Sequence, residues 1–202
     1  MKQVTDYQNY TIMTKQHRVA IFASGSGSNA ENIIEYFRKN RAEVSFPIIL
    51  CNNPKAYVFE RAKKLNVPCE SFTRDAFNSG EVTARLKALD IDFIVLAGFL
   101  WKIPEEMIAA FPDAIINIHP ALLPKYGGKG MYGDNVHKAV VEAGEKESGI
   151  TIHYVNEHYD SGSIIFQAKC EVLPGDDYHQ VAEKVHALEY AHFPQVIDSL
   201  LK

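Results

Sequence analysis

The 202-residue chain has 47% hydrophobic and 23% charged residues, the composition of an ordinary globular protein that is long enough to bury a substantial core. A formal net charge of −4 and a pI near 6.1 provide no basic surface for nucleic acid or anionic membranes. The three cysteines form no Cys-x-x-Cys pair, and no apolar run approaches the roughly 20 residues of a membrane span, so we expect a cytoplasmic protein with free thiols.

The first 17 residues show no clear hydrophobic periodicity, and we expect them to form a poorly ordered extension before a single domain at 18–202. The extension is polar and lacks the apolar centre of a signal peptide. Residues 19–23 are continuously apolar, which predicts a strand buried on both faces. Residues 30–37 have helical spacing, so the chain passes from a strand into a helix.

A glycine-rich turn, residues 24–29, joins this strand to this helix. Gly25 and Gly27 let the backbone approach an anion, and the free N–H groups and the helix dipole would face it. The alternative is a plain turn in which Ser28 or Asn29 caps the helix. Since capping alone does not require two glycines, the pattern favours an anion site.

The same turn also fits the dinucleotide fingerprint G-x-G-x-x-A. That interpretation requires an acidic residue after the second strand, predicted at 44–50, to hold the ribose hydroxyls. The residues that follow, Cys-Asn-Asn-Pro at 51–54, include no Asp or Glu. A terminal phosphate therefore fits better, and dinucleotide binding is the minor alternative.

Strands and helices continue to alternate along the chain. The predicted helices lie at 56–65, 78–89, 104–110, 137–143 and 178–201, and the further strands at 67–72, 93–97, 114–118, 148–155 and 164–168. This order predicts a single α/β domain, a mostly parallel twisted sheet flanked by helices in a Rossmann-like arrangement. We expect an antiparallel strand near the C-terminal part, where a tight turn joins the last two strands.

Two polar side chains end the strand at 114–118. Asn117 and His119 share a face because side chains repeat every second residue along a strand. The end of a buried strand is a usual ligand position in open α/β sheets, although a histidine there could simply bond to nearby backbone. The segment 127–134, rich in glycine, suits a lid or a disordered connector. Asp160 heads a turn, either as an Asx turn or as a carboxylate delivered to His119.

These elements together resemble the phosphoribosylglycinamide formyltransferases, a folate-dependent formyltransferase family of purine synthesis. The matching segments run in family order across 18–199, and they are Ala23–Asn29, Leu96–Phe99, Asn117–Tyr126, Gly149–Val155, Asp160–Gly162 and Ile165–Ala168. The resemblance implies transfer of the formyl group of 10-formyltetrahydrofolate to the amine of glycinamide ribonucleotide. It implies small-molecule partners, no nucleic acid or membrane, no metal, and a monomer or homodimer.

The resemblance also assigns site residues. The implied catalytic residues are Asn117, His119 and Asp160, with Asp160 favouring a charged imidazole. The implied ribonucleotide contacts are Gly27, Ser28, Asn29, Pro120, His186 and Glu189. The implied folate contacts are Leu100, Trp101, Lys102, Ile103, Asn156, Glu157 and Tyr159, together with Asn117 and Asp160.

The chain departs from the family pattern in four places. His186 stands where a glutamine is usual, and Trp101 stands where many members have arginine. An arginine that some members use for the folate tail has no clear counterpart near Gly80, and the lid at 127–134 is longer.

Other functions remain open on the sequence. A formyltetrahydrofolate deformylase shares the Asn-x-His and Asp machinery, but it normally carries an extra N-terminal domain for which 17 residues are too few. The tRNA and sugar formyltransferases normally carry further domains as well. A non-catalytic nucleotide-binding module would need only the glycine-rich turn.

Overall fold

The protein is described here by a computed structural model of residues 16–201, so most of the expected N-terminal extension lies outside the described residues. The strands are β1 (His17–Ala23), β2 (Val44–Cys51), β3 (Cys69–Ser71), β4 (Phe93–Leu96), β5 (Ile115–His119), β6 (Glu147–Tyr154) and β7 (Ile164–Glu171). The helices are α1 (Ser28–Asn40), α2 (Val58–Leu65), α3 (Arg74–Asn78), α4 (Glu81–Ala88), α5 (Glu105–Ala110), α6 (Asp134–Glu142) and α7 (Tyr178–Leu200).

All the strands form one sheet in the order β3-β2-β1-β4-β5-β6-β7. The pairs from β3 to β5 are parallel, whereas β6 runs antiparallel to both β5 and β7. The predicted fold class is confirmed, including the antiparallel strand in the C-terminal part.

The helix predicted at 78–89 corresponds to α4, which begins only at Glu81, and a short helix that was not predicted, α3, precedes it. Gly80 has a φ of 87°, a conformation that favours glycine, and it separates α3 from α4. Thr73 begins α3, since its hydroxyl accepts a hydrogen bond from the N–H of Ala76 at 3.2 Å. β1 begins at His17, two residues before the strand predicted at 19–23, and the His17 ring bonds to Asp92 at 3.0 Å.

The sheet is buried on both faces, with a separate apolar cluster on each. Ile21 and Phe22 are fully buried in different clusters because successive strand side chains point to opposite faces. Helices α1, α2, α6 and α7 contribute to one cluster, and α3, α4 and α5 to the other. This double burial explains the continuous apolar runs in the sequence.

The C-terminal helix α7 is the longest element, with 23 residues. A capping box starts it, in which Asp177 and Gln180 each accept a hydrogen bond from the other's backbone N–H at 2.9 Å. The helix packs against α1 and α6 and carries Glu189 to the N-terminal end of α1. Among residues 16–201, neither α7 nor any other helix is long and apolar enough to cross a membrane.

Candidate active site

A cleft of about 320 Å³ opens where β1, β4 and β5 end. In the sheet, β1 lies between β2 and β4. The chain first adds β2 and β3 on one side of β1 and then β4 and β5 on the other, so the strand order reverses at this point. Ligands of open α/β sheets bind at such a point, beyond the carboxyl ends of the strands. The cleft is lined by residues 25–29, 97–100, 117–120, 128–134, His137, Tyr159, Asp160, His186 and Glu189.

The glycine-rich turn forms one wall of the cleft, and Gly27 is its essential glycine. Its φ is 73°, and a Cβ there would lie 2.4 Å from Cγ2 of Val58. The turn is held from behind, since Val58 donates its N–H to the Gly25 carbonyl at 3.2 Å and Arg61 Nε donates to the Ser26 carbonyl at 2.9 Å. Helix α1 therefore begins at a fixed position, with its N-terminus at the cleft.

The N-terminus of α1 is suited to an anion. Gly27 is the N-cap residue and has no side chain to cap the helix, and the Ser28 N–H forms only a long hydrogen bond of 3.4 Å to Oγ of Ser26. The alternative in which Ser28 or Asn29 caps the helix is therefore wrong. Uncapped N–H groups at the positive end of a 13-residue helix can bind a phosphate.

The side chain of Asn29 does not point freely at this anion site. It is 8% exposed, and its Nδ2 donates to Oε2 of Glu189 at 2.9 Å. His186 Nδ1 lies 3.0 Å from the same oxygen, and this hydrogen bond with Glu189 raises the pKa of His186. Two donors thus bond to Oε2 of Glu189, which is only 5% exposed. Its other carboxylate oxygen, Oε1, is left to accept a hydrogen bond from a hydroxyl group of a ligand in the cleft.

Asn117, His119 and Asp160 meet at the centre of the cleft, as predicted. His119 Nε2 lies 2.7 Å from the Tyr126 carbonyl, which only accepts, so this nitrogen carries the hydrogen of the neutral ring. His119 Nδ1 then faces Oδ2 of Asp160 at 3.6 Å. Asp160 has a φ of 50°, and its Oδ2 also accepts the N–H of Gly128 at 2.8 Å.

Burial decides the charge of His119. It lowers the pKa of the ring and outweighs the opposite effects of Asp160 and the Tyr126 carbonyl. Burial would raise the pKa of Asp160, but His153, His119 and the Gly128 N–H together hold that pKa below its ordinary value. The cleft without ligand therefore pairs an ionised carboxylate with a neutral imidazole, whereas the resemblance implied a charged one.

His153 belongs to the same cluster, although the sequence analysis assigned it no role. It is paired with Asn117 across β5 and β6 and is 2% exposed. Its Nδ1 donates to the Tyr154 carbonyl at 2.8 Å, so its Nε2 accepts from Nδ2 of Asn117 at 3.1 Å when the ring is neutral. His153 thereby orients the amide of Asn117. Only the strand register could have identified it.

A second histidine that the sequence analysis missed, His137 on α6, lines the cleft. It is 3% exposed, and its Nδ1 is buried without a hydrogen-bond partner among residues 16–201. Burial lowers the pKa of this ring too. The sequence placed His137 at the start of a helix but offered no sign that the helix faces the cleft.

The predicted folate contacts divide between two neighbouring pockets. Leu100 and Tyr159 line the main cleft. A smaller pocket of about 60 Å³ shares Asn117, Tyr159 and Asp160 with it and is also lined by Trp101, Lys102, Ile103 and Asn156. Glu157 lies outside both linings, 3.8 Å from the ring of His158 in an exposed pair.

Trp101 is embedded in an aromatic cluster with Phe72, Phe77 and Phe99. The guanidinium of Arg74 stacks over its ring, 3.9 Å from the centroid. The unpredicted helix α3 therefore places an arginine on the Trp101 ring, six residues before Gly80, although Arg74 lines neither of the two pockets.

The open sheet, the cleft at its reversal point and the uncapped helix N-terminus define an α/β protein that binds a small anionic ligand. Residues 17–197 match the family described as Formyl transferase, and the match covers most of the chain. The chain belongs to the formyl transferase family.

Relatives and solved structures agree with this assignment. The chain is 36% identical to the chloroplastic phosphoribosylglycinamide formyltransferase of Arabidopsis thaliana over 92% of this chain and 66% of that protein. It therefore spans slightly less than two thirds of the plant relative. It is 33% identical to phosphoribosylglycinamide formyltransferase of Bacillus subtilis over 91% of this chain and 94% of that protein. The crystal structure of the Bacillus halodurans phosphoribosylglycinamide formyltransferase superposes with a TM-score of 0.84 at 34% identity, covering 92% and 95% of the two chains.

Proposed function

We propose that this chain transfers the formyl group of 10-formyltetrahydrofolate to the amine of glycinamide ribonucleotide, giving formylglycinamide ribonucleotide and tetrahydrofolate. The observation that carries the proposal is the position of Asn117, His119 and Asp160 in the same cleft as the uncapped N-terminus of α1. A binding module would need only the helix N-terminus. The names of the plant and bacterial relatives support the same activity.

The reaction forms a bond between the amine nitrogen and the formyl carbon and breaks the bond from that carbon to N10 of the folate. One proton leaves the amine, one reaches N10, and negative charge develops on the formyl oxygen. The Nδ2 of Asn117 has two hydrogens, and His153 occupies only one of them. We assign the second to the developing oxyanion, a contact whose removal typically costs about 10²–10³ in turnover.

His119 moves the proton in this proposal. Its neutral ring has a free lone pair on Nδ1, which can accept a proton from the attacking amine. The imidazolium that forms is stabilised by Asp160 at 3.6 Å and can return the proton to N10. A lowered pKa suits this role, because a charged ring could not accept the proton.

The two substrates occupy opposite ends of the cleft. The ribonucleotide phosphate binds at Gly27, Ser28 and Asn29, and its ribose hydroxyls bind at Glu189 and His186 beside Pro120. The folate binds at residues 100–103 and at the turn 156–160. We add Arg74 to the folate side, where its guanidinium beside Trp101 suits the carboxylates of the folate tail.

The test is turnover by the purified chain with 10-formyltetrahydrofolate, in the presence and absence of glycinamide ribonucleotide. We expect tetrahydrofolate and formylglycinamide ribonucleotide in equal amounts, and no folate release without the amine. Release that does not depend on the amine would identify a deformylase. Ligand binding without turnover would identify a binding module.

We also propose that the protein acts in a reducing compartment, the cytoplasm. Its three cysteines are unpaired thiols, which supports this location. Localisation of a tagged full-length chain in its own cells tests the proposal.

A further inference from the structure

The ribonucleotide end of the cleft has an unfavourable charge balance for its proposed ligand. Three carboxylates line the cleft, those of Asp134, Asp160 and Glu189. Among the lining residues, all within the described part of the chain, Lys129 is the only lysine or arginine. A phosphate monoester carries nearly two negative charges near neutral pH, and a helix N-terminus offsets only about half a charge. A cation beside the phosphate would offset the remaining negative charge.

Other cations near this end of the cleft are already engaged. Arg61 touches the glycine-rich turn, but its Nε donates to the Ser26 carbonyl at 2.9 Å and another of its nitrogens pairs with Glu31. His186 is held by Glu189 at 3.0 Å. Arg74 and Lys102 lie at the folate end, beside Trp101.

Lys129, unlike these cations, is not engaged by another residue of the described chain. Within residues 16–201 it has no ion-pair or hydrogen-bond partner, whereas Lys125 of the same loop pairs with Glu145 at 2.7 Å. It lies between Gly128 and Gly130, whose φ angles are 96° and 91°. The Gly128 N–H bonds to Asp160 at 2.8 Å, so the backbone next to Lys129 is anchored inside the cleft.

We propose that Lys129 is a substrate-binding residue whose ammonium group contacts the phosphate of the ribonucleotide held at the N-terminus of α1. This inference rests on the proposed function and names the charge that this function requires. The lid, residues 127–134, then contributes to recognition of the phosphate and is more than a cover.

Steady-state kinetics of Lys129→Met test the proposal, with glycinamide ribonucleotide and its dephosphorylated ribonucleoside as alternative substrates. A charge-assisted contact predicts that KM for the ribonucleotide rises about 10- to 100-fold, with KM for the folate within about twofold of wild type. The ribonucleoside should be used equally well by both proteins. Lys129→Arg should restore most of the loss.

The matched control is Lys138→Met, which removes the same charge from the exposed face of α6 beside Tyr178, outside the cleft lining. It should leave both KM values unchanged. An equal loss in this variant would mean that the effect is long-range electrostatics, and the proposal would be wrong.

Two other results would overturn the proposal. A rise in KM for the folate instead of the ribonucleotide would place Lys129 against the folate carboxylates. An equal loss with the ribonucleoside would assign Lys129 to the conformation of the lid. If the wild-type chain does not turn over the ribonucleotide, the proposed function fails, but calorimetric binding of ribose 5-phosphate to wild type and Lys129→Met still tests Lys129. Equal affinity of the two proteins for ribose 5-phosphate would reject the proposed role of Lys129.

Discussion

The two ends of the cleft differ in the kind of contacts that hold their side chains in place. At the proposed ribonucleotide end, polar groups are joined in a hydrogen-bonded network, in which Asn29 and His186 both bond to one oxygen of Glu189. At the proposed folate end, the wall is an aromatic cluster around Trp101, with the guanidinium of Arg74 stacked over the indole ring. The catalytic cluster lies between them and shares residues with both pockets.

This difference indicates how each end tolerates substitution. A hydrogen-bonded network fails when one member is lost, because the remaining buried groups are left without partners. An apolar wall loses contact area in proportion to what is removed. The departures from the family pattern occur at both ends, since Trp101 replaces a commoner arginine on the wall and His186 replaces a commoner glutamine in the network, where it still bonds to Glu189.

The largest effect is expected at the junction of the two ends. His119→Ala removes the proposed proton carrier and should lower kcat by about 10²–10⁴-fold while leaving the affinity for the ribonucleotide nearly unchanged. Steady-state kinetics measure kcat, and titration calorimetry measures the affinity for the ribonucleotide. His179→Ala, an exposed histidine of α7, is the control. Near-normal turnover in His119→Ala would remove His119 from the mechanism.

Gly27→Ala should weaken ligand binding at the ribonucleotide end and leave binding at the folate end unchanged. The left-handed backbone costs an alanine about 1–2 kcal/mol, and its Cβ would collide with Val58 for about another 1–3 kcal/mol. We expect lower stability in chemical denaturation and a KM for the ribonucleotide at least about tenfold higher. Gly25→Ala has open space within 4 Å of its new Cβ and should keep wild-type stability. Equal stability of the two variants would contradict the steric argument.

Asn29→Ala removes one of the two donors to Glu189. Weakening a buried carboxylate's hydrogen bonds costs about 1–3 kcal/mol, so KM for the ribonucleotide should rise about tenfold while KM for the folate stays constant. Asn32→Ala is the control, because Asn32 also bonds from α1 to α7, through the Tyr190 carbonyl at 3.0 Å. A change confined to the folate constant would show that the phosphate loop was wrongly assigned.

Trp101→Leu should affect only the folate end, and only moderately. It removes the Arg74 stack and the aromatic contacts, each worth about 0.5–1.5 kcal/mol, and we expect KM for the folate to rise by about three- to tenfold. Phe46→Leu removes an aromatic contact with Phe37 outside the cleft and controls for lost stability. An unchanged KM for the folate would show that Trp101 does not contribute to folate binding.

The smallest effect is a pH dependence at His186. Its pKa is raised above 6.5 by Glu189, so its stabilising contribution is fully present below that value and is lost as the pH rises through the folded-state pKa. Relative to wild type, His186→Gln should therefore lose more stability at about pH 6 than at about pH 8. Denaturant midpoints measure this difference, and His179→Gln provides the control. A constant difference would mean that the Glu189 contact does not depend on charge.

Local patterns were sufficient to predict much of the sheet and part of the site. Continuous apolar runs identified β1 and β4, and the two-residue repeat correctly placed Asn117 and His119 on one face. The glycine-rich turn was also recognised, from Gly25 and Gly27 between an apolar run and a helical pattern. Each of these features depends on residues that are close in sequence.

Features that depend on distant pairing could not be predicted. Asn29 meets Glu189 across 160 positions, and His153 meets Asn117 only through the register of β5 with β6. The lowered pKa of His119 was not predicted, because the extent of its burial cannot be obtained from spacing. The five-residue helix α3 was missed for a different reason, since it is too short for a periodic pattern.

Trp101 is the only tryptophan in the chain. Nearly all of the indole fluorescence of the protein therefore arises at the folate end of the cleft, beside Arg74 and the pocket of Lys102 and Ile103. Titration with a folate should change this emission directly, whereas ribose 5-phosphate, bound at the other end, should leave it nearly constant. The unlabelled protein thus contains its own optical probe for one of the two proposed substrates.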